Sequence, residues 1–346
     1  AACMAFPSGR VAPPEMVFRN HVCLARAYLV WNRVALAQRE INAVRGSNDA
    51  DGELRLVIAD MHRLAADVQA AETAYQSAAQ ALPGRDEPYL GLGQLYEMAQ
   101  RADDAEAQFR RALSTDESDP QASMMLGRFL LRRKNNPADA LVLLRRANEA
   151  RPNWAEAQGL LGEALLATRA HAEALPILQN TVRLSPTQPG AQSALGRTLL
   201  ALGRYPEAEA PLRTAIQQVS TDASAYAGLA DVLEHTGRDT EATEAWEAAI
   251  DRAPNEPSHR LRAAQLAHRM QLNSFARAHL DRLLTDDPAY APALFLRGRI
   301  ALEEGARAEA RQFLTRALAG HGEVDRAAVQ RAIQEVDAPP GRTRRR

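Results

Sequence analysis

The residues placed most like a metal site are His235 and His268, which fall on neighbouring helical patterns near the same face and could approach each other. Two solvent-facing histidines are the plainer reading, so no metal is expected. No two of the eight histidines stand four residues apart on one helix, and His-Glu-x-x-His is absent, which excludes a helical zinc-protease site. Phosphate-loop chemistry needs Gly-Lys-Ser/Thr, yet the only lysine, Lys134, lies between Arg133 and Asn135. Gly91-Leu92-Gly93 sits inside a helical pattern and follows no strand, so it is not a dinucleotide loop. There is no Gly-x-Ser-x-Gly elbow, and the acidic pair Asp103-Asp104 belongs to a turn. The chain is read as non-catalytic and without a cofactor.

Two cysteines, Cys3 and Cys23, are too few for a disulfide framework and wrongly spaced for zinc. Ala1-Ala2-Cys3 is similar to the end of a bacterial lipobox, which would make Cys3 an acylated membrane anchor. No apolar run reaches the roughly 18 residues that a spanning helix needs. Net charge is −1, and arginines alternate with acids throughout, leaving only Arg342 and Arg344 to Arg346 clustered. Nucleic acid is therefore not an expected partner, because binding it takes a basic stripe. The near-exclusive use of arginine fits a GC-rich bacterial genome.

These side chains are carried by a repeating element. Asp86 to Asp119 holds two amphipathic helical patterns, with Tyr89, Leu92, Gly93 and Tyr96 in the first and Ala105, Phe109 and Ala112 in the second. The polar break Gln100–Asp104 returns the second helix antiparallel to the first. A small residue recurs at Ala59, Gly93, Gly127, Gly162, Gly196, Ala230, Ala264 and Gly298. An alanine recurs at Ala71, Ala105, Ala140, Ala174, Ala208, Ala242, Ala276 and Ala310. Every step is 34 residues except one of 35, whose extra residue falls in the turn Arg133–Pro137. The two small positions are expected to face each other where the paired helices cross. Tyr75, Phe109, Leu144, Leu178, Leu212, Trp246, Leu280 and Leu314 are expected in the core. Pro83, Pro152, Pro186, Pro254 and Pro288 mark second-helix ends; Glu117, Ser220 and Gly322 replace them elsewhere, where the ends should be less sharply fixed.

This register resembles the tetratricopeptide repeat, a 34-residue helix–turn–helix unit. The resemblance implies an all-α, right-handed α-solenoid of stacked antiparallel helix pairs with a C-terminal capping helix. The expected organisation is an irregular arm over 1–14 and an N-terminal helical segment over 15–51. Eight repeats over 52–323 come next, then a capping helix over 324–336 and a basic tail over 337–346. The segment 15–51 is either one long helix or, if it breaks at Asn32, a degenerate repeat with Ala25, Tyr28, Ala37 and Ile41 in register. In this family the ligand groove is lined by the first helix of each pair at repeat positions 2, 5, 9, 12 and 13. Carried onto this chain, those positions give Met124, Arg128, Leu131, Glu163, Leu166, Arg197 and Leu200. At the C-terminal end they give Leu261, Phe295, Leu302, Val329, Ile333 and Val336 as an apolar patch, with Arg299 in its midst. The carboxylate clamp of some members needs lysine at position 5 and asparagine at position 9, and no repeat here has either.

The function implied by this resemblance is that of a protein–protein scaffold, one that takes a peptide or helix of a partner and is set in a bacterial envelope or multiprotein assembly. Pilus-assembly lipoproteins are one such case. The alternative is a cytosolic regulatory module. Localisation is accordingly periplasmic and membrane-anchored through Cys3, or cytoplasmic.

Overall fold

The computed structural model describes residues 13–48 and 50–338, in which nineteen α-helices occur with no β-strand. The chain divides into two compact units, Ala1–Ala170 and His171–Arg346, each an all-α stack of paired helices.

The N-terminal unit opens with α1 (Pro14–Val30) and α2 (Val34–Val44), followed by α3 (Gly52–Leu64) with α4 (Val68–Ala81). Next come α5 (Glu87–Met98) with α6 (Ala102–Thr115), α7 (Pro120–Arg132) with α8 (Pro137–Ala150), and α9 (Ala155–Ala167) stacked on α8. The segment before Gly46 is thus broken. The break is a three-residue turn whose middle residue, Asn32, has φ +54°, matching Ala66 and Gln100 at +59° in the next two pairs. Ala25, Ala37 and Ile41 are buried, each 34 residues before Ala59, Ala71 and Tyr75. The α7–α8 turn alone among these has four residues, Arg133 to Asn136, so the extra residue of the register lies outside both helices.

In the C-terminal unit, α10 (His171–Leu184) stacks on α11 (Ala191–Ala201), which pairs with α12 (Tyr205–Gln218). Then come α13 (Ala223–His235) with α14 (Asp239–Arg252), α15 (Pro257–Arg269) with α16 (Asn273–Asp286), and α17 (Ala291–Glu303) with α18 (Arg307–Ala319). A last helix, α19 (Arg326–Asp337), packs on α18, and its approach is fixed by backbone bonds from Ala291 N to His321 O (2.7 Å) and from His321 N to Ala289 O (3.0 Å).

Several helix starts are set by aspartates. Asp51, Asp119 and Asp222 each accept a hydrogen bond from the backbone N–H three residues on, satisfying one of the free donors of the first turn. Helix ends need no proline: α6 stops two residues before Glu117 and α12 two before Ser220, the same distance as α4 before Pro83. The blurring expected at Glu117 and Ser220 does not occur, because Asp116 and Val219 turn extended and a capped helix starts shortly after.

The core follows the register with one correction. All eight second-helix residues from Tyr75 to Leu314 are buried, as are the small residues of both series. The small residue of the first helix does not chiefly face the alanine of the second, however; it faces the large residue. A Cβ on Gly93 would lie 2.5 Å from the Phe109 ring, and on Gly127 or Gly298 2.8 Å from Leu144 or Leu314. The alanine contributes its carbonyl, 3.4 Å away at Ala140 and 3.3 Å at Ala208. A second close pass joins successive pairs: a Cβ on Gly91 would strike Tyr75 of the preceding α4, and one on Gly228 would come within 3.0 Å of Leu212 of α12.

Candidate functional site

In the N-terminal unit the first helices α3, α5 and α7 line a cavity of about 420 Å³. Its apolar side is Leu56, Leu90, Gly91 and Met125, and its polar side is Asp60, Asp86, Glu87, Gln94, Asp119 and Gln121, with Arg26 and Arg151 also lining it. The acids differ in what they already hold. Asp60 accepts from the Tyr75 hydroxyl at 2.6 Å, and Glu87 is bonded to Arg85. Asp86 has neither arrangement. It stands one residue later in the repeat than the capping Asp51 and Asp119, so its side chain caps nothing. Burial, then the nearby Glu87 and Asp119, push its carboxyl up to about 6, because ionising it places like charges together. Asp86 is the residue that motif reading passed over. The signal was present: an aspartate displaced by one place from an otherwise regular cap.

Elsewhere on the first helices most charges are laced to each other. Arg128 reaches back to Glu97 at 3.0 Å and Arg132 forward to Glu163 at 2.9 Å, both 31 residues apart. In the C-terminal unit Arg262 bonds Asp231 at the same spacing, and Arg269 reaches Glu234 at 2.9 Å. Arg197 on α11 is exposed, with its stem beside Gly228. Leu131, Leu166 and Leu200 are half-buried.

The apolar patch expected at the C-terminal end is smaller in the structure. Val329 is 0% and Val336 6% exposed, because α19 turns them with Ala332 onto the stack holding Leu294 and Leu314. They are core rather than groove, as is Met124 on α7 at 2%. Phe295, Leu302 and Ile333 remain partly exposed around that core, while Leu261 belongs to the neighbouring cluster with Ala264 and Leu280. Arg299 stands 3.6 Å from Glu303 and 3.8 Å from Glu335 of α19, so its charge is shared within the protein.

The two histidines go separate ways. His235 stacks on Tyr205 at 4.1 Å, with Nδ1 2.7 Å from the Asp231 carbonyl. His268 lies 3.1 Å from Asn273 and 3.6 Å from Glu303. Among the described residues no group of three or more metal-binding side chains forms, and no helix is long and apolar enough to cross a membrane. Cys3 lies outside the described residues. Cys23 on α1 is disulfide-bonded.

Models of the tetratricopeptide repeat match residues 63–129, 99–164 and 165–215, and again 193–257 and 261–335. The chain belongs to the tetratricopeptide repeat family. A tetratricopeptide repeat protein from Parabacteroides merdae superposes with a TM-score of 0.53 at 16% identity, over 73% of this chain and 99% of its own. PilW, a widely conserved type IV pilus biogenesis factor, does so with 0.50 at 20%, over 59% and 94%. At these identities both are likenesses of fold. No curated protein matches the chain. Tetratricopeptide repeats are generally non-catalytic interaction modules, and this chain is a protein–protein interaction scaffold.

Proposed function

We propose that the scaffold captures an extended peptide or helix of a partner protein along the first-helix face, and that its principal contact is with the N-terminal unit. The cavity between α3, α5 and α7 carries this reading. It pairs an apolar wall with carboxylates of which one, Asp86, forms no ion pair among the described residues and shares a hydrogen bond with Asp119. Such a site suits a lysine or arginine side chain whose stem lies on Leu56 and Leu90. The partly exposed Phe295, Leu302 and Ile333 with Leu261 form a second, apolar contact on the C-terminal unit. An envelope assembly is the favoured setting, since the disulfide at Cys23 belongs to an oxidising compartment.

The test is selection of peptides from a random library on the full chain. Binders should be rich in lysine and arginine, and should weaken roughly tenfold against Asp86→Asn/Asp119→Asn, the loss of one charge-assisted contact. Binding should also fall between about pH 7.5 and about pH 5, since a carboxyl raised to about 6 takes up its proton over that interval and loses its charge. Acidic or apolar binders indifferent to the double substitution would remove the N-terminal cavity from the proposal.

A further inference from the structure

Several junctions between successive helix pairs are laced by an ion pair at one fixed place. A basic residue in the turn before a second helix reaches the acid that follows the register alanine of the preceding second helix. Arg101 before α6 reaches Glu72 of α4 at 3.3 Å, and Arg238 before α14 reaches Glu209 of α12 at 2.8 Å. Lys134, in the longer turn before α8, reaches Glu106 of α6 at 3.2 Å. Between α16 and α18 the signs are exchanged, with Arg277 on Glu304 at 2.7 Å. At the junction of α14 with α16 the two places hold Thr243 and Leu272 instead. Neither carries a charge, and a groove of about 600 Å³ is left open there.

The apolar part of this groove is Met270, Leu272 and Ala248, with Leu272 46% exposed. Its rim is one stripe of α14, with Glu244, Glu247 and Asp251 on successive turns. Glu247 is held by His279 of α16 at 2.9 Å. Glu244 and Asp251 are exposed and form no ion pair among the described residues. Arg252, the cation that also lines the groove, is engaged elsewhere. Its guanidinium lies 4.1 Å from the Tyr226 ring and donates to the carbonyls of Ser220 and Ala248.

We propose that this groove docks an amphipathic helix of a partner protein, one with lysine or arginine on both sides of a leucine or phenylalanine. The apolar residue lies on Met270 and Leu272, where the ion pair of the other junctions is missing. The cations meet Glu244 and Asp251, because a cover without positive charge would desolvate two carboxylates and leave them unpaired. These acids stand about 10 Å apart along α14 at 1.5 Å per residue, which is about two turns of a partner helix. A helix fits better than an extended chain. The backbone of α14 is committed to its own hydrogen bonds, so it offers none to a strand, whereas a helix arrives with its backbone already satisfied. The groove belongs to second helices, and the peptide contact proposed above belongs to first helices, so the two readings stand independently.

The experiment is selection from a library of helical peptides on the full chain carrying Asp86→Asn/Asp119→Asn, which silences the N-terminal cavity. Binders should carry lysine or arginine about two turns apart around a leucine or phenylalanine. Their affinity should fall about tenfold against added Glu244→Gln/Asp251→Asn, the loss of charge-assisted contacts. Added Thr243→Glu/Leu272→Arg should install the missing ion pair, close the groove and remove binding, with the thermal midpoint no lower than the parent's. The amide pair is nearly isosteric, so its result stands even where the second pair perturbs the fold. Acidic or wholly apolar binders, binders indifferent to both added pairs, or no binders at all would overturn the proposal. So would self-association of the chain that the same pairs abolish, since the groove would then belong to a second copy.

Discussion

At Gly93 a single hydrogen separates α5 from the ring of Phe109. Alanine is the better helix former by about 1 kcal/mol, yet a methyl placed 2.5 Å from that ring must displace it. Overpacking costs about 1–3 kcal/mol, so Gly93→Ala should lower the urea midpoint despite its propensity. Phe109→Leu should relieve the clash, since Ala264 and Leu280 fill the same two positions within one buried cluster. The double substitution is therefore expected to deviate from additivity by more than about 0.5 kcal/mol; simple addition would show that the two sites do not press on each other. This crossing was half legible in the sequence. Spacing identified which residues are small and which are large, but not that small meets large rather than small. Arg297 was not legible at all. It is 8% exposed on α17, a place where leucine is buried on α5 and α7, and is held by Asp281 (3.0 Å) and Glu309 (2.7 Å). An arginine is kept inside by carboxylates from two other helices, which no local pattern announces.

The element that settles the N-terminal segment is a turn. Composition left one long helix or a broken pair, and the left-handed residue Asn32 decides for the pair, repeating the turn at Ala66 and Gln100. Glycine holds this place at Gly203, Gly237 and Gly305. A side chain there costs about 1–2 kcal/mol, against the extra chain entropy that glycine gives the unfolded state, roughly 0.4–1 kcal/mol. Gln100→Gly should accordingly raise stability, by up to about 1 kcal/mol, seen as a higher thermal midpoint. A lower midpoint would mean that the glutamine side chain makes a contact worth more than its strain. The cap α19 shows the complementary limit. Periodicity put Val329, Ile333 and Val336 on one face but could not say how that face is rotated. Packing against α18 took the two valines inside and left the isoleucine at the edge.

For the molecule as a whole, helix pairs that touch only their neighbours make stability local. Leu314→Ala empties a fully buried site on α18 and should cost about 2–5 kcal/mol. Hydrogen exchange on the full chain should then show the loss of protection in α17 to α19, with α5 to α7 retaining theirs. Equal loss in both regions would mean that the two compact units unfold as one. The 34-residue register, and with it the fold, could be read from the sequence over most of the chain. The pairing of groove charges could not, because Arg128 with Glu97 and Arg132 with Glu163 depend on how far each pair is turned relative to the next.

The turn between α7 and α8, with its one extra residue, also carries Lys134, the chain's only lysine. Its ammonium is tied to Asp103 at 2.6 Å and to Glu106 at 3.2 Å, and those hydrogen bonds hold its pKa above the ordinary lysine value. Amine-directed reagents therefore meet one ε-amino group in the whole chain, at a place already tolerant of a change in length, and need alkaline conditions to reach it. With the α-amino group capped beforehand near neutral pH, where it is the more reactive amine, a fluorophore or surface tether attached there would report partner capture from a single known side chain, with no residue exchanged to install it.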